Sequence, residues 1–160
     1  FRAARGRIFV TLDADGLNDP ADVPALVAQL DHCDLCCGYR ARRQDVWSKR
    51  IGSRLANAVR NRILRESVRD TGCTLKAFRA EWARTLPMQF RGMHRFIPAL
   101  MAMAGARIAE IPVNHRPRSG GQSKYTNWGR LKETLWDLWA VRWMQKRHRS
   151  IQTEPIRWKR

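Results

Sequence analysis

The chain has 160 residues, 44% of them apolar and 28% charged; it is long enough to bury a core and too apolar to be disordered throughout. Its 31 Lys and Arg against 14 Asp and Glu give a formal net charge of +17, which points to polyanions as partners: nucleic acid, anionic lipid or phosphorylated substrates. No apolar run reaches the roughly 18–20 residues of a membrane-spanning helix. Phe1 opens the chain with neither a Met nor a signal-peptide pattern, so export is not expected and the sequence reads as the interior of a longer product.

Residues 2–6 read as the end of a helix stopped by Gly6. Residues 7–12 (RIFVTL) form a β-branched, apolar strand that runs into Asp13-Ala14-Asp15-Gly16. Asp19 then caps a helix with Pro20 in its first turn and Val23, Leu26, Val27 and Leu30 on its apolar face. Residues 35–39 (LCCGY) read as a second buried strand. Cys33 and Cys36 have metal-knuckle spacing but lack a second Cys or His pair at a zinc-site distance, so Cys33, Cys36, Cys37 and Cys73 are expected to be reduced, structural thiols in a cytosolic setting. From Trp47 to Leu64 the apolar residues Trp47, Ile51, Leu55, Val59 and Ile63 recur every fourth position. That period predicts a long amphipathic helix, with Arg54, Arg60 and Arg62 among the cations on its other faces. Residues 74–79 and 107–113 read as strands, with a helix near 96–104 between them. Strands alternating with helices predict an α/β fold with a mostly parallel sheet.

The tail changes character. A Pro/Gly/Arg loop over 115–122 leads into a helix over 128–143, on whose wheel Trp128, Leu131, Leu135, Trp136, Leu138, Trp139 and Trp143 share a face. Five of the seven Trp lie after position 127, and Arg142, Lys146, Arg147 and Arg149 crowd the helix end. Trp with Lys and Arg on an amphipathic helix is the composition of a segment lying in the membrane interface, which would place Trp128, Trp136, Trp139 and Trp143 against lipid. The alternative is a helix packed on its own domain or on a partner.

Asp13 and Asp15 carry the sharpest local signal. Two carboxylates at the end of a buried strand can turn toward one point as the chain leaves the sheet. Converging there, they suit a hard divalent cation, Mg²⁺ or Mn²⁺, bound to a diphosphate. The end of an open α/β sheet where ligands bind is also the carboxyl end of its strands. The alternative is a solvated Asx-type turn ahead of the Asp19 cap.

Six stretches extend the signal over nearly the whole chain: VTLDADGLNDPADVPALV, GYR, SKRIGSRLANAVRN, RDTGCTLKAFR, GMHRFIPAL and EIPVNHRPRSGGQSKY. Their order resembles the family 2 glycosyltransferases with a GT-A fold, most closely the polyprenyl-phosphate sugar transferases of the dolichol-phosphate mannosyltransferase type. The resemblance implies the C-terminal two-thirds of a Rossmann-like GT-A domain, truncated at its N-terminus, with a C-terminal amphipathic helix. Residues 1–118 would be the partial catalytic domain, without the strands that hold the nucleobase, and 119–160 the basic loop and Trp-rich interfacial helix. It implies transfer of one sugar, with inversion, from a nucleotide-sugar donor (GDP-mannose or a UDP-sugar) to a polyprenyl monophosphate. The enzyme would work as a peripheral protein at the cytoplasmic face of an anionic membrane.

By the same resemblance Asp13 and Asp15 hold the metal, and Arg40, Lys49, Arg50, Ser53, Arg118 and Lys124 bind donor or acceptor phosphate. Asp70 takes a positioning or base role at the reacting centre. Guanidinium forks suit phosphate oxygens because they offer several fixed donors. Leu17 stands where relatives often carry Gln, and Lys49 where they usually carry Arg, which shifts phosphate duty toward Arg50 or Arg54. The missing N-terminal third implies that the 160 residues alone bind nucleotide poorly and are inactive.

Three rivals are weaker. A nucleic-acid-binding protein would suit +17, but no motif of that kind appears. A polysaccharide synthase of the same fold would carry Q-x-x-R-W, whereas Trp139 stands three residues before Arg142-Trp143. A silent relative is opposed by the intact Asp pair.

Overall fold

The computed structural model describes residues 3–41, 47–116 and 127–149, with the backbone alone for 47–51 and 127–132. Strand β1 (Ile8–Thr11) is followed by a 3-10 turn (Pro20–Asp22), α1 (Val23–Ala28) and a second 3-10 turn (Gln29–Asp31). Then come β2 (Leu35–Arg40), α2 (Trp47–Leu64), β3 (Lys76–Arg79) and α3 (Ala80–Thr85). A 3-10 turn (Met93–Phe96), α4 (Ile97–Met103), β4 (Ile108–Val113) and α5 (Asn127–Arg147) complete the described elements.

The α/β class is as expected, and the four strands form one sheet in the order β1-β3-β2-β4. β3 runs antiparallel to both β1 and β2, while β2 and β4 are parallel. Three strands therefore share one direction, and β3 is the reversed exception. This reversal has a consequence for the site: the carboxyl ends of β1, β2 and β4 lie at the same edge as the beginning of β3.

Side chains alternate across each strand, and the two faces feed two cores. Leu26, Leu30, Cys33, Cys36, Leu75, Ala77 and Val113 pack beneath α1. Phe9, Leu35, Cys37 and Phe78 pack on the other face with residues of α2, α3, α4 and α5. Burial on both faces explains why β2 reads as an unbroken apolar run rather than an alternation. All four cysteines are buried free thiols. Desolvation pushes Cys36 and Cys37 up to about 12, which matches inert structural thiols.

The Asp19 cap is observed: its Oδ1 accepts the Ala21 N–H at 3.0 Å, with Pro20 following. α2 spans the expected residues and closes with the Glu66 N–H bonded to the Asn61 carbonyl at 3.0 Å and Arg65 at φ 55°, a left-handed helix stop.

Four readings are corrected. Residues 3–6 are not helical: residue 3 lies in a turn and 4–6 have no regular structure before β1. Helix α3 follows β3 without a loop and was overlooked; its buried Ala80 and Ala83, one turn apart, were the available signal. Arg60 is buried rather than solvated, pairing with Glu66 at 3.0 Å and lying 5.3 Å over the Phe96 ring. On α5, Leu138 leaves the Trp face and joins Val141 in the core, while Trp136, Trp139 and Trp143 remain 70%, 61% and 62% exposed. Leu138 lies about 200° around the helix from Trp136 at 3.6 residues per turn, so one face cannot hold both.

Candidate active site

The carboxyl edge of the sheet gathers residues from four separate segments. β1 delivers Asp13 and Asp15 into the turn that follows it, where Gly16 adopts φ 74°. Asp13 is exposed and Asp15 partly buried; Asp15 Oδ1 accepts the Leu17 N–H at 3.2 Å. Thr74, just ahead of β3, ties this turn down. Its hydroxyl oxygen accepts the Asp13 N–H at 3.1 Å and Asn18 Nδ2 at 2.8 Å, and its carbonyl accepts the Thr11 hydroxyl at 2.8 Å. Buried Asn18 also forms a bridge to His115 beyond β4, which stitches a third segment to the edge.

The Asp pair offers oxygen donors of the kind Mg²⁺ or Mn²⁺ takes. Among the described residues no group of three or more His, Cys, Asp or Glu could enclose a metal. A cation here would therefore hold two protein carboxylates and complete its shell with water and phosphate oxygens, as Mg²⁺ commonly does.

Arg40 and Asp70, both candidate site residues, meet in a bidentate pair. Arg40 Nε and Nη2 donate to Asp70 at 2.7 and 3.0 Å, and the Arg40 N–H adds a third bond at 3.3 Å. Their side chains are 15% and 6% exposed. Asp70 Oδ1 also accepts the Gly72 N–H at 3.2 Å. This pair forms one wall of a cavity of about 220 Å³ lined further by Tyr39, Ser53, Arg54, Asn57 and Arg69. Arg40, Ser53 and Asp70, chosen from separate stretches of sequence, thus share one cavity.

Two residues of the edge, Lys76 and Arg69, escaped the sequence reading. Lys76 is buried at the start of β3, opposite Thr11 and Cys37, with its Nζ donating to the Cys73 carbonyl; a Lys inside an apolar strand was the available signal. His94 lies within electrostatic reach of Asp13 and Lys76, and burial with the Arg95 charge lowers its pKa against the pull of Asp13. Arg69 stacks over Tyr39 at 5.0 Å, a long-range contact that no local pattern announces.

Lys49 and Arg50 stand on the first turn of α2 and Trp128 at the start of α5, their side chains outside the described residues. Arg118 and Lys124 lie outside the described residues altogether. Among the described residues no helix is long and apolar enough to cross a membrane.

The sequence profile of "Glycosyl transferase family 2" matches residues 1–86, more than half of the chain. The chain belongs to glycosyl transferase family 2. The matched residues run from before β1 through α3, a span that includes the Asp pair, the Arg40–Asp70 pair and Thr74. Among curated relatives, the chain is 40% identical over 127 residues to a dodecaprenyl-phosphate galacturonate synthase of Rhizobium johnstonii, covering 76% of this chain and 37% of that protein. It is 37% identical over 126 residues to an undecaprenyl-phosphate 4-deoxy-4-formamido-L-arabinose transferase of Edwardsiella ictaluri, covering 78% and 38%. The chain thus spans a little over a third of the length of these relatives. Both are named for a polyprenyl phosphate and a sugar.

Proposed function

We propose that the whole protein transfers one sugar from a nucleotide-sugar donor to a polyprenyl monophosphate at a membrane surface. The observation that carries this reading is the juxtaposition, at one sheet edge, of the Asp13/Asp15 turn and the arginine-lined cavity beside Asp70. A nucleotide-sugar and a lipid phosphate are both polyanions, and the two features answer them with a cation-holding turn and guanidinium donors. The names of the two relatives, each joining a polyprenyl phosphate to a sugar, support the acceptor and the kind of group transferred.

Asp13 and Asp15 would hold Mg²⁺ or Mn²⁺, which when bound neutralises charge gathering on the departing nucleoside diphosphate. Thr74 and Asn18 keep the Asp turn in register with β3. The acceptor oxygen is already anionic near neutral pH, so it needs positioning more than deprotonation. Asp70, locked by Arg40, is then a positioning residue at the reacting centre. A single in-line attack inverts the sugar carbon. Exposed Trp136, Trp139 and Trp143 on α5, beside the basic helix end, supply an interfacial surface that would bring the enzyme to its lipid acceptor.

The test incubates the full-length protein with Mn²⁺ or Mg²⁺, a short-chain polyprenyl phosphate and a panel of labelled GDP- and UDP-sugars, and counts label in the organic phase. One donor is expected to give label that disappears with a chelator. Asp13→Asn and Asp15→Asn are each expected to lower that label about 100-fold or more, since metal assistance contributes several kcal/mol. A folded protein that labels no lipid from any donor would overturn the reading.

A further inference from the structure

Helix α5 lies against the 3-10 turn that carries His94, and a polar stretch of the helix makes the contact. Gly92 opens that turn at φ 86°, in the left-handed region. A Cβ built on it would collide with the Asp137 carboxylate, so α5 reaches the backbone of the turn because residue 92 is a glycine. Arg95 closes the clamp from the same turn. Its Nη1 donates to the Thr134 hydroxyl at 3.1 Å and lies 3.9 Å from Asp137 Oδ2. Thr134 and Asp137 are three residues apart and share a helix face. Buried Met93 and Phe96 root the turn in the core that also holds Leu138 and Val141. His94, exposed between buried Met93 and half-buried Arg95, lies within electrostatic reach of Asp13 and Lys76 at the sheet edge and of Asp137 on α5.

We propose that Asp137 is a positioning residue for the transfer reaction: acting through Gly92 and Arg95, it holds His94 beside the Asp13 turn. The inference rests on the metal-and-diphosphate reading above and adds to it a group from outside the sheet. An imidazole N–H can donate to a diphosphate oxygen or to a water on a cation, but only from a fixed place within hydrogen-bond reach. The Asp13 turn is fastened to the start of β3 by Thr74. The His94 turn is placed instead by its two core side chains and by α5. The Arg95–Asp137 pair is long, with side chains 30% and 22% exposed, and a pair of that kind adds little to stability. What it fixes is where the turn sits. Trp139 lies about 200° around the helix from Asp137 at 3.6 residues per turn. One side of α5 therefore carries the exposed Trp side chains while the other clamps the turn, so the surface expected at the membrane and the reactive edge belong to one packed unit.

The test follows the imidazole resonance of His94 in full-length protein carrying isotope-labelled histidine, assigned with His94→Gln, before and after addition of Mn²⁺. It is paired with kcat and KM for sugar transfer. Mn²⁺ is expected to broaden the resonance in the wild type and in Glu133→Gln, whose exposed pair with Arg91 at 3.7 Å lies outside the clamp. In Asp137→Ala the broadening should be much weaker. That variant should lower kcat about 10- to 100-fold, the loss a misplaced site group causes, with the KM for lipid phosphate unchanged. Asp137→Asn, which keeps the shape and loses the charge, should fall between, and it carries the same comparison should the alanine variant not fold. The double variant Asp137→Ala with His94→Ala should be no slower than His94→Ala alone, because a residue that acts through His94 then has nothing to position. Losses that multiply, or equal broadening in wild type and Asp137→Ala, overturn the proposal, as does a wild-type His94 resonance that Mn²⁺ leaves sharp. Broadening that depends on Asp137 in a protein that transfers no sugar would sustain the positioning while removing the transferase reading.

Discussion

The hydroxyl of Thr74 accepts the backbone N–H of Asp13 at 3.1 Å, across 61 residues of chain. That contact joins the turn bearing the acidic pair to the segment bearing Asp70, so the two halves of the candidate site are built on a shared hydrogen bond. Thr74→Val keeps the shape but leaves the Asn18 amide, which is buried, without its acceptor. The expected cost is about 1–3 kcal/mol of stability, read by urea unfolding, with loss of Asp-dependent transfer. A variant as stable and as active as the wild type would show that the turn is held by other contacts.

The Arg40–Asp70 pair is a second such joint. Removing one partner of a largely buried ion pair leaves the other uncompensated, so Asp70→Asn and Arg40→Ala should each destabilise the fold by about 3 kcal/mol. The double variant should cost less than the sum of the two, because their contributions are coupled. Strict additivity in denaturant unfolding would argue that the contact contributes nothing to the fold.

Stability should fall on the alkaline side. Cys36 and Cys37 are raised by burial from 9.0 to about 12, and Cys33 and Cys73 are raised as well. Between about pH 9 and 12 the unfolded chain releases thiol protons that the folded chain retains. The folded state therefore binds more protons, and unfolding free energy drops as pH rises, by about 1.4 kcal/mol per pH unit for each fully affected thiol. Stability from this source is intact below pH 9. Thermal melts between pH 8 and 11 would reveal the slope, and Cys36→Ser with Cys37→Ala should flatten it. All four thiols should also resist iodoacetamide at pH 8 until the protein unfolds.

Three Trp side chains more than half exposed on one helix should register in membrane association. Replacing Trp136 or Trp139 with Ser is expected to weaken binding to anionic vesicles by about tenfold or more, since burying a large apolar side chain contributes about 1.5–3 kcal/mol. Folding should be unaffected, because Leu138 and Val141 carry the core contacts of α5. Flotation with vesicles of graded anionic content gives the measurement, and unchanged flotation would move the membrane contact to another surface.

Much of this was legible in one dimension. The period-four pattern from Trp47 marked α2 to the residue, the Asp19-Pro20 pair marked a helix start, and the apolar run at Leu35 marked a strand buried on both faces. The acidic pair at a strand end, followed by motifs in family order, pointed to the site. These features are local: they depend on residues within a few positions of one another and on the fixed periods of helix and strand.

What the sequence by itself determined, then, was the succession of elements, the family resemblance and a set of candidate polar residues. The tertiary structure alone decided how those residues are paired. Hydrophobic patterns read the same in both directions along a strand, so the reversal of β3 was invisible, yet that reversal sets Asp70 and Thr74 beside the ends of β1 and β2. Arg40 and Arg69 looked equivalent as isolated arginines. Only the sheet order gives one a carboxylate across 30 residues and the other a tyrosine ring, because partners distant in sequence are chosen by packing and not by spacing.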